Sequence, residues 1–138
     1  MRILAIDPGA KKIGLALSDP DGIAARPLAT LDHISRGADA ARIVALATEN
    51  SAEMILIGQP LDLSTQAGPG ARHAERLADA VRELTLMPVK LHDESLSTQI
   101  AHDAMLASGR RRRDRREQIH AASAAAILQS YLDAHSSE

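Results

Sequence analysis

The chain has no cysteine, no phenylalanine and no tryptophan, and Tyr131 is its single tyrosine. Without cysteine there are no disulfides and no thiolate metal sites, and nothing follows about compartment. Without large aromatic rings the core must be built from Leu, Ile, Val, Met and abundant Ala, so helices should pack close. A nucleic-acid partner would have to be held through phosphates and groove shape, because the platforms on which single strands stack are missing. No apolar run approaches the roughly 20 residues of a membrane span. The first strand begins at once, with no signal-peptide pattern, so a cytoplasmic location and no membrane partner are expected. Neither sign of charge dominates: 16 basic and 18 acidic residues give a net charge of −2. The bulk balance therefore says nothing about an anionic partner, and the distribution of charge matters more. Residues 1–138 are expected to form one domain with a real core.

What is present is most informative at the start. An apolar run after Arg2 ends on one carboxylate, Asp7, followed by Pro8-Gly9-Ala10-Lys11-Lys12 and a second apolar run, Ile13 to Leu17. Pro8 presets φ for a turn and Gly9 tolerates a positive φ, so two strands joined tightly are expected. Asp7 then lies where a buried strand meets solvent, rigidly held yet able to reach a metal ion or a phosphate. Pro20-Asp21-Gly22 is a second turn, and Ile23 to Leu31 reads as a third strand, at an edge or bulged because of Pro27. Ser35 to Asn50 is periodic as a helix, with Ile43, Leu46 and Ala47 on one face. Met54 to Gly58 is a buried strand of parallel type, Gln59 to Pro69 a loop, and Gly70 to Leu86 a helix carrying Leu77, Val81 and Leu84. Val89 to Glu94 is a fifth strand ending on two acids. A helix capped by Ser97 or Thr98 runs to Ser108, Arg110 to Arg116 is a basic loop, and Glu117 to His135 is an Ala-rich helix. The order β-β-β-α-β-α-β-α-α implies an α/β fold: a mixed sheet, antiparallel meander first and βα units after, with helices on both faces. Ligands of such sheets gather at the carboxyl ends of the strands. Asp7 and the Asp93-Glu94 pair both fall there.

Four segments together resemble the YqgF/RuvX family, a branch of the ribonuclease H-like superfamily. They are Ile6 to Asp19, Ile57-Gly58-Gln59-Pro60-Leu61, Asp93-Glu94-Ser95-Leu96-Ser97-Thr98, and Ile119 to Gln129. The resemblance implies a five-stranded ribonuclease H-like sheet and metal-dependent cleavage of phosphodiesters in structured nucleic acid. Its substrate would be either a Holliday junction or the 5′ end of pre-16S rRNA. Such hydrolysis needs an activated water and a stabilised leaving oxygen, which two Mg²⁺ or Mn²⁺ ions about 3.5–4 Å apart supply. Hard cations want converging oxygen ligands. Carried onto this chain, the ligand positions are Asp7, one acid of Asp93-Glu94, and residue 120. Glu94 is favoured over Asp93, since Val89, Leu91 and Asp93 share one face in an alternating strand.

Two positions depart from the family pattern. His120 stands where an Asp is usual, and Ser95 where an Arg is usual. Placed in the first turn of the last helix, His120 would be kept neutral by the positive helix end, and a neutral imidazole suits Mn²⁺ better than Mg²⁺. Loss of the arginine would shift phosphate contact to Lys11, Lys12 or the run Arg110, Arg111, Arg112, Arg113, Arg115 and Arg116. That run is too dense for an ordinary solvated face; a solubilising loop is the plainer explanation, but its position directly before the helix carrying His120 favours phosphate contact.

Plainer explanations exist elsewhere. Asp7 could simply cap a turn, Asp93-Glu94 could satisfy a helix N-terminus, and His120 could be a half-buried helix residue. Asp19 reads as a turn residue, Gln66 to Gly70 as a surface turn before a helix, His73 as helix surface and the methionines as core. Besides a nuclease, the sequence allows a nucleic-acid-binding module with catalysis lost. An actin-like ATPase domain is disfavoured by the lack of a second lobe. Symmetric junction cutting would call for a homodimer; rRNA trimming would not.

Overall fold

The computed structural model describes residues 1–59, 69–93 and 112–135. Five strands form one sheet: β1 (Ile3–Pro8), β2 (Lys12–Ser18), β3 (Ala25–Asp32), β4 (Met54–Gln59) and β5 (Val89–Asp93). Their spatial order is β3-β2-β1-β4-β5. β1 pairs antiparallel with β2 and parallel with β4, β2 antiparallel with β3, and β4 parallel with β5. The expected mixed sheet is therefore present. The central β1 is apolar on both faces because helices cover both.

Alternation along the strands sorts the core into two layers. Leu4, Ile6, Ile13, Leu15, Leu17, Ile55 and Ile57 face helices α1 (Arg36–Glu49) and α2 (Pro69–Leu84). Ile3, Ala5, Ala16, Met54 and Leu56 face helix α3 (Arg112–His135), which contributes Ala124, Ile127, Leu128 and Leu132. Ala5 and Ala16 on the sheet and Ala124 on the helix let α3 lie close at the middle of this layer, as a chain without large rings demands. Tyr131 closes this layer at its far end, packed edge-on against His92 and stacked on His135. Among the described residues no helix is long and apolar enough to cross a membrane.

Local signals read from the sequence recur in the fold. Ser35 caps α1 by accepting from the Ala38 amide, and Asn50 ends it, its side-chain amide donating to the Leu46 carbonyl at 2.8 Å. Asp19 is a turn residue whose carboxylate accepts from the Ile23 amide. Pro27 sits at the register shift between β2 and the edge strand β3.

Some boundaries differ. β3 runs two residues later than expected at its start, because the turn at Gly22, with a φ of +71°, continues to the Asp19–Ala24 backbone bond. α2 ends at Leu84, and Leu84 and Leu86 are exposed. Met54 is buried in the layer facing α3 and Met87 packs against the layer facing α1 and α2, but Met1 is exposed. The largest correction concerns the arginine run. Arg112, Arg113, Arg115 and Arg116 belong to α3 and are not loop residues. Arginine is among the better helix formers, and each like-charged i,i+4 pair costs only about 0.2–0.5 kcal/mol, so a helix nucleated in the Ala-rich stretch extends back through it. The helix expected between Ser97 and Ser108, and residues Glu94, Ser95, Arg110 and Arg111, lie outside the described residues.

A buried charge ties β3 to α1. Asp39 is 1% exposed. It accepts from the Ile34 amide at 3.1 Å and from Arg42 at 2.7 Å, and its second oxygen meets the His33 ring. Burial alone would raise its proton affinity, but the Ile34 amide, His33 and Arg42 outweigh it and hold the carboxyl below the ordinary value. Asp39→Ala is expected to lower stability at neutral pH by about 2–3 kcal/mol, because it strands these donors. A carboxyl depressed in the fold contributes fully above the ordinary value of about 3.9, and its contribution fades as pH falls through the lower folded value. In chemical denaturation the gap between wild type and Asp39→Ala should therefore narrow in acid below about pH 4.

Candidate functional site

Asp7 is the penultimate residue of β1, half-buried at the carboxyl end of the central strand. The chain turns immediately after it. The Gly9 amide donates back to the Asp7 carbonyl at 3.1 Å, and a Cβ on Gly9 would overlap the Lys12 carbonyl. Only glycine fits that turn, so Pro8-Gly9 fixes where Asp7 stops and β2 starts.

Across the sheet Asp7 is paired with Gly14 of β2, and Gly14 with Thr30 of β3. Directly paired residues point to the same face. This face is the one covered by α3, because Ile3 and Ala5 precede Asp7 on it and Ala16 follows Gly14. On the other side of Asp7, Ile57 pairs with Ile6, so the next residue, Gly58, flanks Asp7 on β4. The carboxylate therefore has a residue without a Cβ on each side.

The glycine on β2 has a definite occupant. A Cβ placed on Gly14 would overlap the His120 carbonyl and lie 2.9 Å from the Ala121 nitrogen. The backbone of α3 thus rests on β2 one strand away from Asp7. Folding therefore seats the backbone of residue 120 over Gly14, the β2 partner of Asp7. His120 itself is half-buried. Its depth in the helix differs from the expectation: α3 begins at Arg112, so His120 lies beyond the second turn. Helix-end fields fade within the first turn, and the argument that the helix terminus keeps His120 neutral does not apply.

β5 supplies the other expected acids. Asp93 is its last residue and pairs with Gln59. His92, one residue earlier, pairs with Gly58 and faces α3, its ring 3.4 Å from the Ser130 hydroxyl. Glu94 lies outside the described residues. Among those that are described, no three His, Asp or Glu side chains converge as a complete metal site. Lys11 and Lys12 sit on the β1–β2 turn, exposed, with Lys12 ion-paired to Asp32. Arg112, Arg113, Arg115 and Arg116 occupy the start of α3, ahead of His120 on the same helix.

Sequence reasoning missed Gly14 and Gly58. Both were present in the quoted segments, and a glycine inside an apolar strand is a signal of close backbone approach. It also missed His73, read as helix surface. His73 is half-buried, its ring edge-on to His33 at 6.3 Å.

Comparison with known proteins fits this geometry. Residues 1–134 match the family described as "RuvX: Holliday junction resolvase". The chain is 41% identical over 133 residues to a protein of Mycolicibacterium paratuberculosis named "Putative pre-16S rRNA nuclease", covering 96% of this chain and 80% of that one. It is 42% identical over 131 residues to a protein of the same name from Clavibacter michiganensis subsp. michiganensis, covering 94% and 81%. Among solved structures, Thermus thermophilus RuvC in complex with a Holliday junction superposes with a TM-score of 0.61 at 18% identity, covering 99% of this chain and 96% of that one. The fowlpox virus Holliday junction resolvase gives 0.58 at 12% identity, covering 97% and 99%. These two likenesses establish the fold.

Gly14→Ala is expected to lower stability by about 1–3 kcal/mol, the usual cost of overpacking, although alanine is ordinarily the better strand residue. The helix must lift off the sheet to admit the methyl group. Denaturant midpoints for Gly14→Ala beside a control at Gly37, whose added Cβ would meet nothing within 4 Å, measure the contact.

Proposed function

The chain belongs to the RuvX family, and from that premise we propose that it is a divalent-metal-dependent endonuclease acting on structured nucleic acid, with Asp7 as its central carboxylate. The observation that carries this reading is the row formed by Asp7 and Gly14, onto which α3 lays the backbone of His120. A strand end, a helix and a turn thereby address one point at the carboxyl edge of the sheet.

The donors suit a divalent cation. Asp7 offers a fixed carboxylate with glycines to either side, and His120 stands across Gly14 on the same face. A third donor is needed to complete the site. Alternation along β5 favours Glu94 over Asp93, since His92 faces α3 and the next residue of that parity is 94. Asp7, Glu94 and His120 would hold the metal, with Asp93 the alternative acid of the pair. Bound Mn²⁺ or Mg²⁺, as a pair, would activate the attacking water and stabilise the leaving oxygen.

The protein's own groups do the rest. The backbone at Asp7 is held in place, because β1 ends in a turn that only Gly9 permits. Lys11, Lys12 and the run Arg110, Arg111, Arg112, Arg113, Arg115 and Arg116 are the proposed source of positive charge for phosphates. With a single tyrosine, recognition works through backbone and shape, which suits a folded RNA or a duplex junction. The curated relatives' name makes a pre-16S rRNA mimic the first substrate to test, and the family description makes a four-way DNA junction the second. A symmetric cut in the junction would require a homodimer.

A second reading, a binding module on the same fold, is favoured by His120 and Ser95 standing where the family has Asp and Arg. Asp7→Asn separates the two. In a nuclease it should cut cleavage by more than about a hundredfold, beyond the 10–100-fold typical of outer-shell changes, while binding persists; a module would show no metal-dependent cleavage to lose. The metal preference gives a further check. Cleavage should be faster with Mn²⁺ than with Mg²⁺, and His120→Asp should move the preference toward Mg²⁺. Equal rates with both ions in both proteins would remove His120 from the ligand set.

A further inference from the structure

The carboxyl edge of the sheet has a second side, and apart from Lys11 its charges are unexplained by the cleavage site. β3 ends at Asp32 opposite Lys12, so the chain re-enters this edge before α1 begins. The His33 amide donates to the Lys11 carbonyl at 2.9 Å, docking His33 against the β1–β2 turn. α2 is held at the same edge, where Gln59 at the end of β4 donates to Glu75 at 2.8 Å. The first turns of α1 and α2 therefore stand side by side, with the His33 and His73 rings in edge contact and Arg36 next to them. This side lies across the sheet from Asp7, on the layer built around Leu4 and Ile6.

The acids here are already committed. Asp39 faces inward to Arg42 and His33, Asp32 pairs with Lys12, and Glu75 accepts from Gln59. Among the described residues, Lys11 and Arg36 have no ion-pair partner, and neither have Arg72 and Arg76 on α2 beside His73. Clustering uncompensated cations with two imidazoles works against folding, and such clusters mark places where an anion is received.

We propose that this α1–α2 side of the mouth is a second contact surface for the phosphodiester backbone of the bound nucleic acid. Lys11 and Arg36 supply fixed charge, and His73, in edge contact with the His33 ring, supplies charge that appears when a phosphate is seated. The proposal rests on the nuclease reading in taking the substrate's own backbone as the ligand. Its surface is separate from the scissile site, so a strand cut on the α3 face would be gripped where it crosses the sheet edge.

Protonation follows from the same groups. Burial, Arg36 and His33 hold the His73 imidazole below its ordinary proton affinity, and Asp39 opposes them. On its own helix Glu75 offsets Arg72 and Arg76 in part. A phosphate placed among these cations reverses the balance, so binding takes up a proton. By linkage, affinity must then rise as pH falls.

The test uses the full chain, with divalent cations withheld so that no strand is cut. Anisotropy of a labelled four-way DNA junction and of an RNA hairpin copying the pre-16S 5′ end gives Kd near pH 6 and near pH 8, either side of the ordinary imidazole value of about 6.5. Wild type should bind at least about threefold tighter at the lower pH, and His73→Gln should lose most of that difference. Arg36→Gln, an exposed position, should weaken binding at both pH values and lower the slope of log K against log salt by about one. Thermal melts should show both variants folded. Wild-type affinity and salt slope in both variants would overturn the proposal, and so would an unaltered pH ratio in His73→Gln. Wild type that binds but cuts neither substrate when Mn²⁺ is restored would strike the nuclease reading alone, with the binding curves still deciding this one; wild type that binds neither would overturn both.

Discussion

The contact between Gly14 and the backbone of α3 sets the height of that helix above the sheet, and the rest of the site depends on it. A strand glycine costs about 0.5–1 kcal/mol relative to alanine. The close approach it permits lets Ile127, Leu128 and Leu132 reach the sheet, and each fully buried side chain of this size is worth about 1.5–3 kcal/mol. Burial wins by a wide margin. The same approach delivers residue 120 to the neighbourhood of Asp7, so packing and site geometry come from one missing methyl group. Ala5, Ala16 and Ala124 continue the close approach down the sheet, which is how a core without large rings is filled.

The two faces of the sheet divide the work. On one, α3 lies against small residues and carries the basic run at its start. On the other, α1 and α2 cover the larger aliphatic layer and are tied down by the buried Asp39. Both faces open at the same edge because β1, β4 and β5 are parallel and β3, antiparallel to β2, runs in the same direction as β1. Asp7 belongs to one face and the His33–His73 pair to the other. A nucleic acid lying across that edge would meet carboxylate chemistry on one side and imidazole on the other, with the β1–β2 turn between them.

Much of this was legible in the sequence where the determinants are local. Pro8-Gly9 announced the turn after Asp7, Ser35 and Asn50 announced the limits of α1, and the strand order followed from the alternation of elements. What was not legible is non-local or a matter of close competition. Arg112 to Arg116 was read as a loop because charge density was weighed above propensity, and moving the helix start carried His120 from the first turn into the third. That shift removed an electrostatic argument while leaving the residue where the family pattern puts it. His73 looked like helix surface because nothing in its own helix reveals that His33, forty residues earlier, is its neighbour. Gly14 and Gly58 were visible, but their meaning appears only when the row across the sheet is assembled.

Tyr131 has a consequence of a different kind. It is the only side chain that emits ultraviolet fluorescence of its own, since the sequence has no tryptophan and no phenylalanine. Its ring sits between His92 of β5 and His135 at the end of α3. The molecule therefore carries a native optical reporter at the seam between its last strand and its last helix, and any separation of the two is announced from one known position without a dye.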